Sequence, residues 1–140
     1  MVGRLNWQFF PWCSTLALVW VGRITPERLY GEKARFLRIS PERYAGWRVL
    51  SDYSDAQLDL RQVLMGDIAQ VAVVDTLILG RFPGAKWVSV LPPYDGPEAV
   101  RWIEALQLAA TFYDITWRLV FDREQAWQWL LRRQAARFVE

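Results

Sequence analysis

Residues 115–131, ITWRLVFDREQAWQWLL, decide how the chain is read. Ile115, Trp117, Leu119 and Phe121 alternate with Thr116, Arg118 and Val120, the two-residue period of a strand with unlike faces. Asp122 comes next, where a helix cap belongs, with Glu124 and Gln125 placed for a capping box. Trp127, Trp129, Leu130 and Leu131 then supply the apolar content of a helix running from Arg123 toward Phe138. A strand that hands directly to a helix is half of a β–α unit, and the rest of the chain yields more of them.

Toward the N-terminus, Gly96-Pro97-Glu98 opens a helix whose buried side is assigned to Val100, Ile103, Leu106 and Leu108 to Ala110. Before it, Lys86–Leu91 is a short apolar strand closed by Pro92-Pro93. Asp59 caps a long segment through Leu79, where Leu60, Val63, Leu64, Ile68, Val71, Ala72 and Ile78 mostly keep helical spacing. Val71–Leu79 is rich in β-branched residues and competes as a strand, but the segment's length and the stop at Gly80 favour a helix. Trp47–Tyr53 is a further strand. Thr25-Pro26-Glu27 starts a helix with a capping hydroxyl, a proline at the first helical position and an acid for the dipole. Leu29, Phe36 and Leu37 form its inward face, and it ends before Pro41. Leu5–Phe10 and Thr15–Gly22, about four residues apart, make an antiparallel hairpin. The order β-β-α-β-α-β-α-β-α demands crossover connections. The expected fold is α/β: one mixed, mostly parallel five-stranded sheet with an N-terminal antiparallel hairpin and about four helices, in one domain over residues 1–140.

Composition narrows the chemistry. The 140 residues include no histidine and one cysteine, Cys13. Ser-His-Asp and Cys-His catalysis, histidine-liganded metals, intrachain disulfides and CxxC arrangements are thereby excluded within one chain. Cys13 reads as a buried, inert thiol. Residues 1–50 carry eight Lys/Arg against three acids, while the net charge of the whole is +2. Four of those cations fall on one expected helix and read as its solvated face, so no nucleic-acid partner is expected. The apolar run Thr15–Gly22 is too short to span a bilayer, which takes about 20 helical residues. The expectation is a cytoplasmic protein with no membrane span.

The elements in this order resemble the SpoIIAA-like, or STAS-like, family. The resemblance rests on three stretches and covers about the whole chain. They are the two-stranded start leading to Thr25-Pro-Glu-Arg28, the strand Trp47-Arg-Val-Leu-Ser-Asp52 followed by a loop and a long helix, and the ending Val120-Phe121-Asp122-Arg-Glu-Gln-Ala126-Trp-Gln-Trp129-Leu130. That ending is similar to the family's V-F-x-x-x-x-E-A-x-x-W-L. The resemblance implies a partner-binding regulatory domain. Anti-sigma antagonists of this kind are phosphorylated on a serine of a D-S-S-G-like motif at the start of the long helix. Here the matching stretch is Leu58-Asp59-Leu60-Arg61: Asp59 is kept, but Leu60 and Arg61 stand where the serines would be. The usual phospho-serine motif is missing, and Ser54 is the nearest serine.

Two polar loops and a set of tryptophans remain as candidate sites. Ser51-Asp52-Tyr53-Ser54-Asp55 reads as the turn after a buried strand, the end at which open α/β sheets bind ligands. Asp52 and Asp55 form either an acid/base or divalent-ion pair there or a solvated turn. Pro92–Pro97, with Tyr94 and Asp95, is the corresponding loop after the next strand and lacks the glycines and Lys-Ser/Thr of a phosphate cradle. Trp20, Trp47, Trp87 and Trp117 fall on strands and read as core. Trp127 and Trp129 lie two positions apart, about 200° around a helix, so both cannot face one core, and one is expected at the surface. With Trp102 and Phe138 nearby, that spacing suggests a homodimer contact. The sequence therefore leads to a non-enzymatic protein-interaction or regulatory domain without metal or cofactor, acting through a partner or a homodimer. The alternative is a small-molecule or lipid-binding module using the loops after strands three and four.

Overall fold

Residue 25, outside a strand, begins the first helix, and its side chain is the reason. The Thr25 hydroxyl accepts the backbone N–H of Arg28 at 3.2 Å, Pro26 occupies the first turn, and α1 (Pro26–Phe36) follows. A computed structural model describes residues 3–36, 38, 46–58, 77–78, 80–91 and 97–132. It contains β1 (Arg4–Phe10), β2 (Thr15–Ile24), α1, β3 (Arg48–Leu58), β4 (Lys86–Val90), α2 (Pro97–Phe112), β5 (Thr116–Val120) and α3 (Arg123–Leu130). Three α-helices are present among the described residues. The helix expected over Asp59–Leu79 and the loop Pro92–Gly96 lie outside them, apart from Leu77 and Ile78. So does the expected extension of the last helix toward Phe138.

The five strands form one sheet in the order β1-β2-β3-β4-β5. β1 runs antiparallel to β2, and the other pairs are parallel. The hairpin connection is a single 3-10 turn, Pro11–Cys13, closed by Ser14 in the left-handed region at φ 48°. Cys13 is buried there, with its thiol against the Phe10 carbonyl at 3.6 Å. Gly3 precedes β1 because nothing larger fits: a Cβ would run into the Arg23 carbonyl oxygen.

Strand order fixes where the helices go. The chain steps from β2 to β5 always toward the same edge, and right-handed crossovers then place every connecting helix on one face. On that face Leu16, Leu18, Trp20, Val49, Tyr53 and Trp87 pack with Leu29 and Phe36 of α1, Ala110 of α2, and Ile78 and Phe82 from the connection before β4. Trp20 and Tyr53 stack at 5.5 Å, and Trp7 meets Phe36 edge-on at 5.5 Å. The opposite face has a smaller core of Ala17, Leu50, Val88, Val90 and Val120, covered by Ala126 and Leu130 of α3. α3 is the terminal helix, not a crossover, and it packs on β3, β4 and β5.

Several expected positions shift. β3 runs five residues beyond Tyr53, so Ser51–Asp55 lies inside a strand and not in a turn. Asp52, Ser54 and Asp55 are hydrogen-bonded within this group and to Arg123 of the terminal helix. Trp47 precedes β3 and packs half-buried against the core; Trp20 and Trp87 are buried as expected, and Trp117 is half-buried with its indole N–H on Ser89 Oγ at 3.1 Å. Lys33 of α1 is buried, not part of a solvated face. On α2, Val100 and Leu108 point outward, and Leu108 is 74% exposed. The helix needs only its Ile103, Leu106 and Ala110 side against the sheet.

That difference gives a direct check. Leu50→Ala, at a fully buried site over α3, is expected to cost about 2–5 kcal/mol in urea unfolding. Leu108→Ala is expected to change stability by less than about 0.5 kcal/mol.

Candidate functional site

β3 carries one residue more than β2 across a short interval. Val19 pairs with Asp52 and Val21 with Asp55, two steps on one strand against three on the other. This is a β-bulge, and it changes which side chains share a face. In a regular strand Asp52 and Asp55 would point to opposite faces, because the side-chain period is two. The extra residue, Ser54, returns Asp55 to the face of Asp52. Bulging leaves the Ser54 N–H without a strand partner, and Asp52 takes it: Oδ1 accepts the Ser54 N–H at 2.9 Å and its hydroxyl at 2.6 Å.

Arg123 binds the two carboxylates together. Its Nε donates to Asp52 Oδ2 at 2.5 Å, and its Nη2 donates to Asp55 Oδ2 at 2.6 Å and to Ser54 Oγ at 2.9 Å. Asp52 is wholly buried, while the Arg123 and Asp55 side chains are 44% and 55% exposed. The hydrogen bonds it donates to Asp55, then Asp52, raise the guanidinium pKa above its ordinary value and outweigh the opposing effect of burial. Arg123 is the first residue of α3, after Asp122, whose carboxylate accepts the Glu124 N–H at 3.1 Å. A cation at a helix N-terminus opposes the macrodipole, and the paired aspartates offset that cost.

Among the described residues α3 covers β3 to β5 and reaches Ala17 of β2, and the outer part of the same face, from Asn6 and Gln8 of β1 to Val19 and Val21 of β2, is left less covered beside it. The result is a groove of about 500 Å³. Asn6, Gln8, Ala17, Val19 and Val21 form its floor, with Arg123, Trp127 and Leu131 as the wall on the helix side. Asp52 and Asp55 lie at one end, Phe10 and Trp12 at the other. Trp127 meets the Phe10 ring edge-on at 5.1 Å. The volume is within the roughly 300–1,000 Å³ of small-molecule sites.

The candidates named from sequence divide accordingly. Asp52, Ser54, Asp55 and Trp127 come together at the groove. Asp59, Tyr94 and Asp95 lie outside the described residues; Trp102 is on α2, and its side chain is likewise outside them. Trp129 points away from the groove, with the Lys86 ammonium 4.5 Å from its ring and Arg118 at 6.0 Å. Lys86 also donates to the Trp129 carbonyl at 2.5 Å, and burial together with Arg48 and Arg132 lowers its pKa. The two tryptophans do diverge around the helix, but both are half-buried, so neither is the free surface anchor expected. Phe10 and the lysine occupy the directions that the sequence left open.

Arg123, Asn6, Gln8, Phe10 and Trp12 were not among the sequence candidates. Arg123 had a readable signal, a cation placed against the helix dipole. The others share a face only through the register of the hairpin. Among the described residues no group of three or more His, Cys, Asp or Glu is placed to hold a metal ion, and no helix is long and apolar enough to cross a membrane. No family model, no curated protein and no solved structure matches this chain.

The pairing makes a mutational prediction. Arg123→Met leaves the buried Asp52 charge without its partner, at a cost of about 3–5 kcal/mol for a fully enclosed pair. Water reaches this arginine, so the expected loss is about 1–3 kcal/mol. Asp52→Asn in the same background should recover part of it, with a coupling above about 0.5 kcal/mol in a double-mutant cycle. Asp55→Asn should cost less than about 1 kcal/mol.

Proposed function

We propose that this protein is a non-enzymatic binding domain that holds a small molecule in the groove between α3 and the open face of β1 and β2. The observation that carries the reading is the groove itself: a concave floor of three apolar side chains and two amides, aromatic groups at one end and charged groups held by Arg123 at the other. Ligand sites have this composition, and the polar minority sets orientation and specificity. The bulge and Arg123 hold the polar end rigid, which lowers the ordering cost of binding. In this reading the binding site is formed by the sheet and the terminal helix, and not by the loops after strands three and four. Kinship with the SpoIIAA-like, or STAS-like, family is part of the same proposal. A mixed sheet begun by an antiparallel hairpin and the Thr25–Arg28 helix start support it.

A second reading, a regulatory domain acting through a protein partner or a homodimer, is favoured by one feature. Leu108 and Phe112 of α2 are 74% and 80% exposed, one turn apart, with Val100 further along the helix. Large apolar side chains left together in water mark contact sites. Sedimentation at high micromolar concentration tests it: a dimer lost in Leu108→Ser/Phe112→Ser would support self-association through α2, and a monomer throughout would remove it.

For the leading reading, isothermal titration with 2-naphthol and 1-octanol is decisive. Saturable one-site binding is expected in the native chain. Val19→Trp, which fills the groove floor, should abolish it while the unfolding free energy in urea stays within about 1 kcal/mol of the native value. Binding that survives the filled groove, or no saturable binding of either probe, would contradict the proposal.

A further inference from the structure

The groove is polar at one end and apolar at the other, and its charge is not balanced. Building on the ligand-binding reading above, we infer that the occupant is an elongated amphiphile with an ammonium head at the Asp55 end and an apolar tail among Phe10, Trp12 and Trp127. The register measures the length. Asp55 pairs with Val21, and Phe10 with Thr15 at the other end of β2. Six residues of strand separate those rows, about 20 Å, an upper bound on the occupant's length that an eight-carbon chain anchored at Asp55 fills by about half.

The head group is set by which polar atoms remain available. Asp52 is buried, and its two oxygens accept three hydrogen bonds from Ser54 and Arg123. Arg123 spends Nε and Nη2 on the two aspartates and Ser54. Asp55 accepts through Oδ2 and is 55% exposed, so its second oxygen faces the groove's solvent. The ionised groups lining the groove are two carboxylates and one guanidinium, leaving one negative charge. Arg4 stands in the same row as Val21 and Asp55 but two strand spacings from Asp55, about 10 Å. It is exposed and does not line the groove. An anionic head would meet uncompensated negative charge. An ammonium group instead gains the Asp55 carboxylate. At the far end the indole of Trp127, the Phe10 ring and Leu131 offer no charge and only apolar surface, which suits an alkyl or aryl chain.

The test uses one tail with three heads. Octylammonium, 1-octanol and octanoate are titrated into the full chain at neutral pH. Octylammonium is expected to bind at least about ten-fold tighter than octanol, and octanoate more weakly than either. Asp55→Asn should erase the ammonium preference and leave octanol affinity unchanged, whereas Trp127→Ala should weaken ammonium and alcohol by the same factor. Equal affinities for the three heads, tightest binding of octanoate, or a preference that survives Asp55→Asn would overturn the head-group assignment while the groove reading stands. Absence of octanol binding would overturn the groove reading itself.

Discussion

A sheet whose parallel strands are added in sequence toward one edge can cover only one of its faces with connecting helices. The hand of the β–α–β crossover imposes this, and loop detail does not alter it. In this protein the crossovers after β2, β3 and β4 all deliver apolar side chains to the face of Trp20 and Trp87. The other face depends on the segment that succeeds the last strand. That segment is α3, eight residues long and seated over β3, β4 and β5. Among the described residues, the part left uncovered, over the N-terminal hairpin, is the groove. The site is thus a consequence of topology before any of its residues is considered.

The polar end depends on a second constraint, the phase of β3. Without Ser54 as an extra residue, Asp55 would face the aromatic core, where an unpaired carboxylate is costly. With the bulge, both aspartates meet Arg123, and the first turn of α3 is tied to the sheet at the point where it crosses β3. Tyr53, next to Asp52 in the strand, lies on the other face by ordinary alternation and stacks on Trp20. Buried carboxylates in a sheet usually mark either a structural tie or a ligand contact. Asp52, fully paired, is the tie, and Asp55, half in solvent, is the contact in the proposed reading.

Much of this fold was legible in the sequence. Alternation over residues 115–121, the Thr25-Pro26 helix start, the Asp122 cap and the hairpin spacing all correspond to observed elements, and the mixed five-stranded sheet is the consequence of their order. The site was half legible. Asp52, Ser54 and Asp55 stood out by polarity, but a polar run reads as a turn when its partner is unseen, and that partner lies about 70 residues away in Arg123. The outward turn of Leu108 on α2 was not legible, because propensity and spacing do not reveal which apolar positions a helix leaves in water. Asn6, Gln8 and Phe10 form a surface only after pairing with Ala17 and Val19, so no local pattern marks them.

Among the described residues, β2 is half-buried at Val19 and Val21 on one face and buried at Leu16, Leu18 and Trp20 on the other, and the proposed function rests on that asymmetry. Single cysteines placed at Val19 and at Leu18, in a Cys13→Ala background, measure it through the rate of thiol labelling in the native state. Rapid labelling is expected at position 19, slowed when 1-octanol is present, and labelling at position 18 only on global unfolding. Equal protection at both positions would mean that the hairpin is covered on both faces and that no groove exists.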